Sequence, residues 1–388
     1  MSRKLHALLF LLVCGAAGFL LFRPSPREEK PPVPSAPLPE KPMQGSWWPA
    51  FHGGGRLLGE AEPLPLERMK LRWECKIGGG TESSPAIADG VVYVGGADGG
   101  LYALDFESGK QKWKFEAEAP FSASPLVRDD RIFIGDDRGT FYALSAKTGV
   151  KLWTFDAGTQ IHSSANYSGQ NILFGCYDNR LYCLDPDGKR LWNFQADAQL
   201  HATPCVDDRL IFFGGCDRAL HAVDPKTGTE VWKYPAGAVI PTPCGAFDRR
   251  VVFGTMQGEV VCLEAQNGTE VWRQKIDGDT FYGAPAVSRG LIVIAGRGAG
   301  VYALDARSGT LRWTFPNRAG FDASPLVSGD GVYIGGKDGQ LHVLDVDTGR
   351  EAWTFLAGGS ILSSPAIAFR RLVFADTPGT VYCLEAGR

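Results

Sequence analysis

Residues 83–113, SSPAIADGVVYVGGADGGLYALDFESGKQKW, contain three short runs rich in β-branched and aromatic residues, AIA, VVYVG and LYALD, and a fourth that ends on tryptophan. Gly, Asp and Ser separate the runs, the punctuation of tight turns between strands. Residues 123–153, ASPLVRDDRIFIGDDRGTFYALSAKTGVKLW, repeat the pattern one period later. The closing tryptophan recurs at Trp73, Trp113, Trp153, Trp192, Trp232, Trp272, Trp313 and Trp353, at intervals of 40, 40, 39, 40, 40, 41 and 40 residues. A period near 40 is too long for one strand or helix and fits one supersecondary unit of an array or propeller.

Each unit is therefore four short strands. Runs such as VVYVG, RIFIG and GVYIG are continuously apolar, which suits strands covered on both faces. Between the third and fourth strands the chain reads DFESG, SAKTG, DPDG, DPKTG, EAQNG, DARSG and DVDTG. The acid caps turn N–H groups and the closing Gly supplies a positive φ. DPDG is one residue short, which accounts for the single 39-residue interval.

Eight three-strand sets begin near Pro85, Pro125, Ala165, Pro204, Pro243, Pro285, Pro325 and Pro365, and the last ends at Arg388 without a tryptophan strand. The missing strand lies at the other end of the repeats, where residues 70–77, KLRWECKI, form an orphan. The expectation is an all-β, eight-bladed β-propeller of four-stranded antiparallel blades over residues 46–388, with the N-terminal strand closing the last blade. Such a closure hides two sheet edges.

Residues 1–22 set the expected location. Leu5 to Phe22 hold no acid, Lys or Arg, and eighteen residues just span a bilayer. Because the apolar run continues to Arg23, the stretch reads as an uncleaved signal anchor, a transmembrane helix, rather than a cleaved peptide. Cys14 raises a lipoprotein alternative, but Val13 stands where a small residue is needed. Residues 23–45 form a Pro-rich tether. The propeller is then membrane-anchored in the periplasm or elsewhere outside the cytoplasm. A net charge of -3 gives no electrostatic footprint for nucleic acid.

The opening SWWPAFHGGG, the repeated S-P, VYVG and LYALD segments and the closing Trp resemble the PQQ-binding-like propeller proteins. That family includes BamB-type outer-membrane assembly factors and quinoprotein dehydrogenases. The resemblance implies a noncatalytic scaffold for protein–protein interaction in the cell envelope, with outer-membrane assembly machinery as partner. A ligand-sensing propeller and a PQQ-dependent dehydrogenase are the alternatives. Quinoprotein enzymes of this family carry insertions and two adjacent cysteines, whereas this chain has neither, so no cofactor is expected.

A tryptophan present in every repeat cannot mark one site, so function belongs where repeats disagree. Three residues before the S-x-P proline stand Glu82, Ser122, His162, His201, Ile240, Tyr282, Asp322 and Leu362, placed at the mouth of the central channel. Glu82, Ser122, His162, His201, Tyr282 and Asp322 are the candidate ligand or partner contacts. No catalytic or metal residues are assigned, since the carboxylates lie blades away from the histidine pair. The residues one place earlier, such as Phe121 and Ile161, read as packing between blades.

Eight cysteines fall in the exported part. Cys205 and Cys244 share one inner-strand position of adjacent repeats and read as small buried hydrophobes. Cys383 and Cys75 lie on strands expected to pair, diagonal to each other, and are the candidate disulfide.

Overall fold

The computed structural model describes residues 47–298 and 300–387. The expected span at 1–22 and the whole of the tether at 23–45 therefore lie outside the described residues. Among the described residues no helix is long and apolar enough to cross a membrane.

The described strands form eight sheets that close into a ring. Blade 1 is Ala86–Ala88, Val91–Gly95, Gly100–Asp105 and Gln111–Glu116, hydrogen-bonded in that order. Blades 2 to 7 follow the same plan and reach Leu356. In blade 8, Ala366–Ala368, Arg371–Ala375 and Thr380–Glu385 take Lys70–Lys76 as their fourth strand. Trp73 lies opposite Cys383 and Cys75 opposite Val381, antiparallel, so the N-terminal strand does close the ring. The first strands of blades 8 and 1 lie against each other at this seam.

The tryptophans explain the period. Each of the first seven donates its indole N–H to a turn carbonyl of the next blade, as Trp192 does to Pro225 at 3.1 Å and Trp313 to Val346 at 2.8 Å. The turn glycine lies flat on the ring. A Cβ on Gly228 would stand 2.4 Å from Trp192, and its φ is +68°. The glycine thus answers two demands, a positive φ and room for an indole. A second belt runs nearer the axis, where Ser364 N–H donates to Ser84 Oγ at 2.9 Å and Ser84 N–H to Ser124 Oγ at 3.0 Å. Here the serine before the repeat proline links blades across the seam.

The segment before the first strand is not a loose leader. Residues 48–66 form a strap that visits every blade, in blades 1 to 7 at the first strand and in blade 8 at the turn that follows it. Trp48 exchanges both backbone bonds with Ile87 of blade 1, and Val127, Val206, Ala246, Val287 and Val327 each donate N–H to a strap carbonyl at 2.7–3.0 Å. In blade 3, Asn166 pairs both amide atoms with Gly55, each at 2.8 Å. Glu60–Ala61 then adds a parallel strand to blade 7, and the Glu62 carboxylate accepts from Arg370 N–H of blade 8. Edge strands present unpaired backbone groups, and the strap satisfies them. His52 is the strap's buried pin. It is 2% exposed, with Nδ1 2.9 Å from Leu57 O and Nε2 2.9 Å from Pro325 O. Burial lowers its pKa, against the raising effect of the two carbonyl contacts.

Cys75 and Cys383 are both free thiols, so the expected staple is absent from the seam. The register supplies the reason: Cys383 faces Trp73, and Cys75 is two pairs further along, opposite Val381. Diagonal cross-strand positions lie about 7–8 Å apart, beyond ordinary disulfide geometry.

Candidate functional site

The residues entering each first strand gather at one end of the ring. Glu82 is exposed, while Ser122, His162, His201, Tyr282, Asp322 and Leu362 are half-buried. Ile240 departs from the set. It is fully buried, and a Cβ on Gly214 would sit 2.4 Å from it, which is the packing place of Ile161 against Gly135. Blade 5 is slipped by one residue relative to the sequence alignment: Ala246 donates to the strap as Val127 does, so Pro241 holds the mouth position.

A second ring of variable residues lies beside the first. It is made by the turn between second and third strands: Ala97, Asp137, Tyr177, Cys216, Met256, Arg297, Lys337 and Thr377. Their backbone N–H groups donate to the segment leading into the first strand of the same blade, as Asp137 does to Pro120 O at 2.9 Å and Arg297 to Thr280 O at 2.9 Å. The sequence carries the signal, since repeats disagree at this position as sharply as at the first.

The two rings form a continuous arc of contacts. Ser122 Oγ donates to Asp137 Oδ2 at 2.8 Å, and Asp137 Oδ1 lies 3.4 Å from His162 Nε2. His162 packs on Tyr177 with ring centroids 4.7 Å apart, and Tyr177 lies 6.3 Å edge-on to His201. Tyr282 reaches past blade 5 to stack 6.4 Å from His201, and the Arg297 guanidinium covers its ring at 3.9 Å. Arg297 grips Asp322 with two bonds of 2.6 and 2.8 Å, and Lys337 Nζ adds a third contact at 3.0 Å. Glu82 and Ser122 border a shallow depression of about 320 Å³ between blades 1 and 2.

The charges follow from these contacts. Burial, then the neighbouring His162, pushes the His201 imidazole down to about 4, so it is neutral at pH 7. Burial raises the Asp322 carboxyl, but the Arg297 and Lys337 hydrogen bonds outweigh it and hold the group below the usual carboxylate range. Asp137 Oδ1 and His162 Nε2 are buried and have no hydrogen-bond partner of good geometry.

A quinone cofactor with three carboxylates needs free cations and, in the enzymes, a metal beside it. Both cations at this mouth, Arg297 and Lys337, are taken by Asp322, and the Glu82 and Asp137 carboxylates face the remaining arc. Among the described residues no group of three or more His, Cys, Asp or Glu is placed to hold a metal ion. This donor set does not fit the cofactor.

The profile of a PQQ-repeat family described as "Outer membrane protein assembly factor BamB" matches residues 54–177, 159–280, 217–353 and 256–387. The chain belongs to this family. The overlapping matches of the BamB profile reflect the repeat itself, because one blade superposes on the next. BamB from Moraxella catarrhalis shares the fold at a TM-score of 0.73 and 17% identity, covering 82% of this chain and 100% of that one. Quinohemoprotein alcohol dehydrogenase from Comamonas testosteroni is similar at a TM-score of 0.76 and 13% identity, covering 88% and 81%. The computationally designed Ika8 protein is similar at 0.70 and 16%, covering 80% and 98%. A BamB relative, an oxidoreductase and a designed protein thus share one ring, so the likeness speaks to fold alone. No curated protein matches the sequence.

Proposed function

We propose that the chain is a noncatalytic scaffold of the cell envelope, tethered through its N-terminal apolar stretch, whose channel mouth docks a protein partner. The observation that carries this reading is the pairing of the mouth's polar groups with one another. Asp322 is held by Arg297 and Lys337, and Ser122 is spent on Asp137. A placed general base needs a free lone pair near its substrate, whereas Tyr and Arg at the rim of a concave surface are the residues that anchor protein interfaces. Membership of the BamB family supports outer-membrane assembly machinery as the class of partner. The misfit between the mouth and an anionic quinone argues against a PQQ-dependent dehydrogenase.

A ligand-sensing role is the second reading. It is favoured by the buried Asp137 Oδ1 and His162 Nε2, which face each other at 3.4 Å without a hydrogen bond and which a small polar ligand would satisfy.

Affinity purification of the full chain, with mass spectrometry of co-purifying proteins, tests the proposal. Recovery of envelope assembly components, lost on Tyr282→Ala, supports the scaffold. A protein that captures nothing but gains thermal stability from a small-molecule library supports the sensor. Reduction of an artificial acceptor by alcohols after addition of PQQ and calcium overturns both.

A further inference from the structure

We propose that Cys205 and Cys244 join as a disulfide while the protein folds in an oxidising compartment, a covalent clasp between blades 4 and 5 that the strap then covers. Its formation in cells rests on the envelope location proposed above; the geometry does not.

The one-residue slip of blade 5 brings this pair into relation. Cys244 stands two residues before Ala246, whose N–H meets the strap, and so takes the place of Pro85, Pro125, Pro204 and Pro285 in other blades. Cys205 is the first residue of the inner strand of blade 4. The two cysteines are therefore not equivalent positions a full repeat apart, as the sequence suggests, but staggered neighbours.

Side-chain contacts bring the thiols together. Cys205 faces Phe212 across its strand pair, and Cys244 Sγ reaches back over the blade boundary to 3.7 Å from Phe212 O. The inner strands of the two blades carry Cα atoms within 8 Å of each other. Both cysteines are free thiols in this structure, as Cys75 and Cys383 are, and both belong to the apolar cluster beneath Leu57 of the strap. Burial first, and then the Cys244 thiol, raise the Cys205 thiol well above its ordinary value. Cys75 and Cys383, by contrast, stand two pairs apart on one ladder, with Glu74 and Tyr382 between them.

Burial sets the timing. Cys205 is 0% and Cys244 1% exposed, and Cys205 Sγ donates to Arg56 O of the strap at 3.3 Å. A redox partner has access only before the strap seats. The chemistry is exchange with a protein disulfide of the thiol-oxidase class. One cysteine thiolate attacks the oxidase disulfide to give a mixed disulfide, and the second displaces the oxidase sulfur. The Cys205–Cys244 bond forms, and the oxidase leaves as a dithiol carrying the two protons. The bond encloses the whole of blade 4 in a covalent loop, which removes conformational freedom from the unfolded chain.

The test is refolding of the full chain from denaturant, in mild detergent and a glutathione redox buffer, followed by alkylation, digestion and mass spectrometry. The expected product is a Cys205–Cys244 peptide pair lighter by two hydrogen atoms, with Tm falling several degrees on reduction in the parent and not in C205A/C244A. Full alkylation of both thiols in the refolded, folded protein overturns the pairing. The same digest on protein recovered from its native cells reads the compartment. A bond present after refolding and absent from cells overturns formation in cells and counts against the envelope location, while the geometry stands.

Discussion

Trp353 donates its indole N–H to the carbonyl oxygen of Leu66, 3.0 Å away, although the two residues are 287 positions apart. Every earlier tryptophan finds its acceptor in the turn between third and fourth strands of the next blade. Blade 8 has no such turn, because its fourth strand is Lys70–Lys76. The strap supplies the absent carbonyl and with it the eighth inter-blade clasp. A chain beginning at Glu67 leaves Trp353 and the inner edges of the blades unpaired. At about 0.5 kcal/mol for each of about ten bonds lost, it should lose on the order of 5 kcal/mol relative to a chain beginning at Trp47. Urea unfolding of the two truncations measures this, and equal midpoints would remove the closing role assigned to the strap.

The turn glycines separate two costs that usually travel together. Gly228→Ala meets both a φ of +68° and the Trp192 ring at 2.4 Å, whereas Gly237→Ala meets a φ of +78° with nothing within 4 Å. The backbone penalty is about 1 kcal/mol in each case, and the forced contact adds about 2 kcal/mol for Gly228 alone. Thermal unfolding of the pair should show the larger loss at Gly228.

Acid should weaken the fold through two imidazoles held below their ordinary value, the buried His52 and the half-buried His201. His201 is held at about 4 against an ordinary value of 6.5, and His52 is lowered in the same direction. A depressed folded-state pKa means the unfolded chain takes the proton first. The contribution is complete above pH ~6.5 and drains away as pH falls towards 4, for His201 by at most about 3 kcal/mol. His201→Gln should flatten that part of the profile of urea midpoint against pH. An unchanged slope would show that His201 is not protonated on unfolding.

Blade 4 places a histidine where most blades place tyrosine. His221 Nε2 lies 2.7 Å from Asp217 and Nδ1 2.7 Å from Glu230, while in blade 3 Tyr182 O–H donates to Asp178 at 2.6 Å from the same register. The Asp217 side chain is 2% exposed. His221→Ala should therefore cost about 3 kcal/mol by taking the side-chain donor from a buried carboxylate that keeps only the Ala219 N–H and a 3.9 Å contact to Lys233. His221→Tyr restores the donor and should recover all but about 1 kcal/mol, read by denaturant titration.

At the mouth, Arg297→Ala uncovers Tyr282 and releases Asp322 from its two-point grip. Partner recovery should fall at least ~tenfold, the usual consequence of truncating an interface arginine. Stability should change by less than about 1 kcal/mol, because Lys337 still pairs with Asp322 and the arginine is 40% exposed. A large drop in Tm with unchanged capture would reverse the assignment.

The ring was legible because its signals are local and repeated. The Trp beat, the turn glycines and the orphan strand at Trp73 each state their own geometry, and eight copies average away accident. The strap was not legible. Residues 48–66 have no repeat partner, and their bonds reach from Ile87 to Leu66 and Trp353 through backbone atoms that every residue possesses. The mouth was half legible. Variation between repeats points to Ser122, His162 and Asp322 at the strand entry, whereas Asp137, Tyr177 and Arg297, which complete their contacts, stand in a turn of a different register. Ile240 misled because a Pro-Thr-Pro run shifts the match by one residue, and only burial shows which residue packs and which faces out.

The strap also decides how the molecule answers to force. Its bonds to the blades follow one another around the axis, from Ile87 onward, so a pull on the chain ahead of Trp47 loads them singly and in order rather than all at once. A string of weak links peeled from one end yields at far lower tension than the same links sheared together. The ring would surrender its lining before any blade came apart, and the channel-facing edges of the blades would be bared in sequence, blade 1 first.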